Sequence, residues 1–350
     1  MNGEIFTCGQ QKPIPVAARG KHLVVDIHCH LGIPAADALV QAGYPGPPPG
    51  INDFTSPKTS EVNRAQFGAM GRTLNTLDTR LADMDRLGID VQALSPSPGQ
   101  YFYFTDADTG RAAARAVNEG MAAAVASNPD RFVGMGTVPL QDPRLAVEEM
   151  HRCVKELDLR GIEISSNVNG VDLHAEQFRP FWAAAEELGV LVFLHPLGFT
   201  HAQRMSEYYF NNLIGNPLES TLAVGHLIFG GVLDAYPGLK ICVAHGGGYM
   251  PGYWGRMDHG WRARGDCSEH CRHEPSSYLR KLWFDTLVFD KDQLDSLVRT
   301  HGPDRLCLGT DYPFDMAEPD PVGFHDHLSD DVKAQIMGLN AAELLGLVAG

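Results

Sequence analysis

The residues of this 350-residue chain best suited to chemistry are histidines and aspartates that end short apolar runs. The run VVDIHCHLG, residues 24–32, closes on His28 and His30, two positions apart. Alternate residues of a strand point to one side, so the two imidazoles are expected to share a face, with Asp26 beside them. Such a pair is either a set of hydrogen-bonded core histidines or half of a metal site. Further along, VFLHP ends in His195, CVAHGGG in His245, and LCLGTDYPF carries Asp311 after another apolar run. One strand-end histidine is usually structural; metal-ligand types ending several strands at one edge favour a metal. His28, His30, His195 and Asp311 offer three imidazoles and a carboxylate. That set suits Zn2+ or another borderline divalent ion, one per chain, with a coordination position left open. His245 reads as a general acid/base beside the metal, the alternative being a fifth ligand. The three glycines after it allow a sharp turn and leave space before the ring.

Elements must bring these residues together. Short β-rich runs lie at 22–29, 89–95, 131–138, 160–165, 189–195, 239–245, 281–287 and 305–311. Amphipathic stretches that read as helices lie near 76–87, 109–128, 143–157, 176–188, 217–236, 290–300 and 330–347. Apolar strands alternating with helices predict a parallel sheet covered by helices. Eight such units are the number that closes a (β/α)8 TIM barrel, whose active sites sit at the C-terminal ends of the strands. An open doubly wound sheet is the runner-up, but no Gly-x-Gly-x-x-Gly turn follows strand one. The whole chain, 1–350, reads as one barrel domain. Residues 31–75, with the Pro/Gly-rich GYPGPPPG, read as an insertion after strand one that serves as a lid.

Composition narrows the partners. The formal net charge of −15 argues against nucleic acid or an anionic membrane surface, because both need a basic patch. No stretch approaches the roughly 20 apolar residues of a membrane span. The N-terminus has no basic region followed by an apolar core, so no signal peptide is expected. Seven cysteines, an odd and scattered number, fit a reducing, cytoplasmic setting. Cys267, His270, Cys271 and His273 form one local cluster, but their spacing matches no common zinc module.

The pattern D-x-H-x-H on strand one, His on strands five and six and Asp on strand eight resembles the amidohydrolase superfamily. The blocks RFVGMGTVPLQDPRLAVEEM, NPLESTLAVGHLIFGGVLDAYPGLKICVAHGGG and LCLGTDYPF are more specific. They resemble the branch typified by 2-amino-3-carboxymuconate-6-semialdehyde decarboxylase, over about residues 22–345. The resemblance implies a zinc held by His28, His30, His195 and Asp311, with His245 activating water. It implies a homodimer in which Arg256 of GRMDHG reaches the neighbour's site and binds a substrate carboxylate. It also implies Phe314 in the pocket wall. A second carboxylate-binding arginine belongs to the insertion, where Arg72 and Arg64 are the candidates. Where that branch has tryptophans after strand five, YYFNN offers Tyr209 and Asn212.

Two reactions fit this set. One is hydrolysis of an amide or lactone, or a hydration; the other is loss of CO2 from an unsaturated or aromatic carboxylate. Dinuclear hydrolases of the superfamily carry a bridging lysine at the end of strand four. Here that end reads RGIEISSN, without a lysine. Glu163 either bridges or, more plainly, fills a barrel layer as an inward polar residue. A mononuclear site and Arg256 favour a metal-dependent, non-oxidative decarboxylase acting on a small anionic carboxylate. A barrel that had lost its chemistry would be missing a ligand, and none is missing.

Overall fold

The computed structural model describes residues 11–44 and 54–349. Eight parallel strands form one sheet: β1 (Val25–Leu31), β2 (Val91–Pro96), β3 (Phe132–Gly136), β4 (Gly161–Ile164), β5 (Leu191–Leu194), β6 (Lys240–Val243), β7 (Trp283–Asp285) and β8 (Leu306–Cys307). Each pairs with the next in chain order. The tube closes on itself between β1 and the segment after β8. There the Ile27 amide donates to the Leu308 carbonyl at 3.0 Å, Thr310 to His28 at 3.1 Å, and His30 to Tyr312 at 2.7 Å. All eight strands read from the sequence are present. Residues 45–53, which hold most of the Pro/Gly run of the insertion, lie outside the described residues, as do the first ten.

Alternation along the strands divides the core in two. Val91, Ala93, Val133, Met135, Leu191 and Phe193 face inward and fill the tube. Leu94, Phe132, Ile162, Val192 and Ile241 face outward and pack against the helices. The N-terminal mouth is closed by a parallel ribbon of Ile14–Val16 on Leu347–Ala349. Its Val16 and Leu347, with Leu345, pack in the same cluster as the first residues of β1, β2 and β5.

One irregularity shapes the opposite mouth. In the β1–β2 pairing Asp26 lies opposite Gln92 and Cys29 opposite Leu94, so three steps of β1 span two of β2. A bulge of this kind shifts the alternation by one residue. Ile27 faces the interior with Ala93, and the adjacent His28 also turns inward, its ring 5.1 Å from that of Phe193. His28 and His30 therefore share a face, as expected, but Asp26 does not. It turns outward, accepting hydrogen bonds from Gln92 Nε2 at 3.0 Å and Thr310 Oγ1 at 2.7 Å. The bulge corrects the simple period-two reading.

The helices that position the site are α1 (Pro34–Gly43), α2 (Pro57–Asn75), α3 (Arg80–Leu87), α4 (Ala107–Ser127), α5 (Pro143–Lys155), α6 (Arg179–Leu188), α7 (Asn216–Phe229), α8 (Met250–Ala263) and α9 (Lys291–His301). The helix expected over 217–236 is interrupted after α7, where Gly231 adopts φ +70°. The one expected over 330–347 is broken by a wide turn at Gln335–Leu339. Three of these helices, α1, α2 and α8, were not among those expected from the sequence. α2 has the right start, with Pro57 in its first turn and the Ser56 hydroxyl accepting from the Thr59 amide at 3.3 Å. Its body is mostly polar and exposed, so its periodicity is weak. α8 contains Gly252, Gly255 and Gly260, poor helix formers that hide it from a propensity reading.

Candidate active site

His28, His30, His195 and Asp311 come together at the C-terminal mouth, with one ligand atom of each within 4.8 Å of all the others. The bulge aims His28 and His30 from β1. β5 delivers His195, whose amide is held by the Ile164 carbonyl at 2.9 Å. Asp311 follows β8 in a left-handed conformation, φ +61°. Gly309 makes room below: a side chain there would meet His28 Cβ at 2.8 Å and Asp285 Cβ at 2.9 Å. The Asp311 Oδ1 atom lies 3.4 Å from His28 Nε2 and 3.2 Å from His30 Nε2.

The far side of each β1 ring sets its tautomer. His28 Nδ1 donates to Asp285 Oδ2 at 2.6 Å, and His30 Nδ1 to the Pro96 carbonyl at 2.9 Å. Both partners only accept, so both protons sit on Nδ1 and both Nε2 lone pairs point into the site. His28 Nε2, His30 Nε2, both His195 nitrogens and Asp311 Oδ1 are buried without a hydrogen-bond partner. Buried polar atoms are normally paired. Unpaired donors of metal-ligand type converging on one point fit a divalent ion.

The electrostatics agree. Burial opposes charge on His28, but the Asp311 and Asp285 carboxylates outweigh it and raise its pKa to about 10. Burial, with His30, His28 and His245 around it, pushes His195 well below the usual range. Burial opposes ionisation of Asp311 too, yet the charge of His28, with the His245 and His30 rings close by, holds its carboxyl well below the ordinary value. Without an ion, the positive charge these carboxylates favour is a proton on His28, whose place a bound cation would take, while His195 stays neutral with a lone pair to offer.

Asp285, which ends β7, escaped the sequence reading. Besides holding His28, its carboxylate accepts from the His245 amide at 3.0 Å and the Gly246 amide at 2.8 Å. One buried side chain thus positions a ligand and the turn that carries His245. The only sequence signal was an aspartate at the same rim in LWFDTL.

His245 stands beside the four-residue cluster. Its Nε2 is 3.9 Å from Asp311 Oδ2, and its ring lies 5.0 Å from His195 and 5.2 Å from His28. Its φ is +57°, a conformation that costs a non-glycine residue energy and is typical of functional sites. The following glycines continue at φ +60°, +79° and +66°.

The other sequence candidates are spread more widely. Phe314 is at the site, its ring 5.2 Å from His30. It touches Phe67 of α2 at 6.4 Å, so the insertion runs over the rim. Both ends of α2 are tied there, through the Ser56 amide to the Ser206 carbonyl at 2.7 Å and the Gly32 amide to the Leu74 carbonyl at 2.9 Å. Arg72 is not brought to the site. Its side chain is exposed and paired with Asp78 at 2.9 Å, because five residues of helix turn it off the Phe67 face. Arg64, three residues before Phe67, lies on that face, exposed and without an ion pair among the described residues. Arg256 is exposed on α8 and likewise without a partner among the described residues. The Tyr209 phenol is pushed up by burial and by the nearby Asp315 and Asp311 charges, which puts it near the rim; Asn212 lies one turn on. Glu163 does point inward, but it sits behind His30 and accepts from the Tyr101 hydroxyl at 2.6 Å, outside the ligand cluster. Cys267, His270, Cys271 and His273 form no ligand group among the described residues. A cavity of about 310 Å3 opens over the loops after β2, β4 and β5, with Phe54, Tyr101, Phe104, Asn169 and Phe199 in its wall.

Comparison with known proteins places this arrangement. Residues 25–347 match the amidohydrolase family. The 2-amino-3-carboxymuconate-6-semialdehyde decarboxylase of Dictyostelium discoideum is 39% identical over 274 residues, 77% of this chain and 76% of that one. The Caenorhabditis elegans enzyme of the same name is 30% identical over 360 residues, 86% and 88% of the two chains. A 5-carboxyvanillate decarboxylase of Novosphingobium aromaticivorans was solved with manganese and 4-hydroxy-3-methoxy-5-nitrobenzoic acid. It superposes with a TM-score of 0.81 at 26% identity, over 96% of this chain and 99% of that one. The chain belongs to the amidohydrolase family, and the relatives it matches at 30% identity or more over most of its length include these decarboxylases.

Proposed function

We propose that the chain catalyses metal-dependent, non-oxidative decarboxylation of a small unsaturated or aromatic carboxylate. The observation that carries this reading is the pairing of one four-ligand cluster with His245, a titratable ring in reach of the cluster but outside it. An ion held by His28, His30, His195 and Asp311 supplies Lewis-acid polarisation of a substrate oxygen. Zn2+ suits three imidazoles and a carboxylate, and the manganese of the Novosphingobium enzyme makes Mn2+ the other candidate.

The chain's own residues do the rest. As CO2 leaves, the electron pair of the broken C–C bond stays on the substrate carbon, which must then take a proton. His245 is the group that holds and delivers it. Asp285 fixes the turn that aims the ring. Phe314 and the aromatic wall around Tyr101 offer flat apolar surface to a planar substrate and exclude water.

A substrate carboxylate needs local positive charge in a chain of net charge −15. Arg256 supplies it from a neighbouring subunit: it is exposed, unpaired among the described residues, and flanked by the exposed Tyr253 and Trp254, apolar surface that a homodimer would cover. Arg64, rather than Arg72, is the second arm, carried over the rim on α2 as part of the lid formed by residues 31–75. The six cysteines described are unpaired, which suits a cytoplasmic enzyme. Among the described residues no helix is long and apolar enough to cross a membrane.

The deciding experiment measures CO2 release by metal-loaded protein from hydroxybenzoates and carboxylated muconate semialdehydes, with amides and lactones as controls. Hydrolysis of the controls without CO2 release would overturn the decarboxylase reading.

A further inference from the structure

A second group of metal-ligand side chains lies outside the site above. Asp172, His174 and His226 each place a ligand atom within 4.8 Å of the other two. Asp172 ends a small hairpin, Asn167–Val168 on Val171–Asp172, and His174 follows it. His226 sits in the last turn of α7. His226 Nε2 is 3.2 Å from Asp172 Oδ2. The two imidazoles stack, with centroids 4.6 Å apart and planes at 14°. His174 Nδ1 is buried without a hydrogen-bond partner. A groove of about 650 Å3 adjoins the cluster, with His174, Glu176, Arg179, Glu269 and His270 along it.

A stacked histidine pair beside an aspartate can be plain surface packing. Two features point further. The unpaired His174 nitrogen is an unused donor in a cluster that otherwise has the composition of a three-ligand site. The C-terminal end of α7 carries the negative end of the helix dipole, which favours a cation. None of these residues has a part in the decarboxylation.

We infer that Asp172, His174 and His226 form a second divalent-metal site of the two-histidine, one-carboxylate type, suited to Zn2+ or a similar borderline ion. Because the rings are stacked, their lone pairs meet only if one imidazole turns about its Cβ–Cγ bond. His226, whose side chain is 36% exposed, has room to turn. A bound ion ties the hairpin to α7, the same two elements that Asn167 and Glu219 already join at 3.0 Å. With three ligands and partial exposure it is the weaker of the two centres.

Metal counting tests this. Protein with its catalytic centre loaded is equilibrated with Zn2+ by dialysis, and bound metal is measured per chain. Wild type is expected to hold about two ions, and His226→Ala and Asp172→Asn about one each. Asp172→Asn keeps the side-chain shape, so the test survives if the histidine variant folds poorly. In a His28→Ala/His30→Ala background one ion should remain, and adding Asp172→Asn should remove it. Saturation of wild type at one ion, or a second ion that persists in both single variants, overturns the inference. The readout is stoichiometry, so it stands or falls independently of the decarboxylase reading.

Discussion

The two mouths of the barrel are closed in opposite ways. At the N-terminal mouth Val16, Leu345 and Leu347 pack under the first residues of the strands, all apolar and nearly all fully buried. At the C-terminal mouth His28, His30, Glu163, Asp285 and Asp311 are equally buried but polar, and several of their atoms have no protein partner. Leaving a buried polar atom unpaired costs about 1–3 kcal/mol. One end therefore stabilises the tube, and the other carries groups whose burial is unfavourable without a cation. Stability and chemistry are separated along the barrel axis, so substitutions at the two ends should fail in different assays.

The largest effect should come from His28→Ala/His30→Ala. It is expected to lose the catalytic metal and CO2 release while keeping its far-ultraviolet circular dichroism, because the opposite end holds the tube. Undiminished metal in elemental analysis would break the comparison at its centre. His245→Asn should keep the metal and lower turnover by about a hundredfold or more, the usual scale for a lost general acid/base. Loss of the ion together with the ring would make His245 a ligand.

Arg256→Lys should lower kcat/KM by about one to three decades, on the order of 1–4 kcal/mol of transition-state binding. The loss should be greater for dicarboxylates, since a lysine cannot reproduce the planar, two-pronged contact of a guanidinium. Wild-type activity should also fall on dilution in step with dimer dissociation followed by sedimentation. A fully active monomer would place Arg256 outside the site.

Asp285→Asn sharpens the comparison on the polar side. The amide keeps the size but loses the charge that holds His28, so metal affinity should fall by about 10–100-fold, as for other ligand-orienting partners. A competition titration with a chelator reads it, and an unchanged affinity would reduce Asp285 to a backbone tie. Leu345→Ala does the reverse. It should cost about 2–5 kcal/mol of stability in denaturant unfolding while kcat/KM stays at the wild-type value. If activity falls before stability, the two ends are not separable.

Much of this cluster could be read in the chain because its four candidate ligands end apolar runs. In a parallel barrel the end of each strand lies on one rim, so His28, His30, His195 and Asp311 were identifiable without coordinates. What could not be read depends on local exceptions or on distant partners. The β1 bulge, which turns Asp26 outward, is a matter of pairing with β2, not of any residue in DIHCH. Asp285 acquires its role only by meeting His28, 257 residues away in the chain. Arg72 and Arg64 are indistinguishable as residue types, and only the phase of α2 relative to Phe67 and Phe314 separates them.

By itself, then, the amino-acid sequence determined the eightfold alternation of strand and helix, the four residues of the candidate ligand cluster, and the acid/base candidate next to its glycine turn. These follow from periodicity and side-chain type, which are local properties. Tertiary structure alone decided which nitrogen of His28 and His30 faces the site, which carboxylate supports His28, and that Arg72 of the insertion pairs with Asp78 instead. Those are set by hydrogen-bond partners and packing angles contributed by other strands and helices, and a single chain segment carries no record of them.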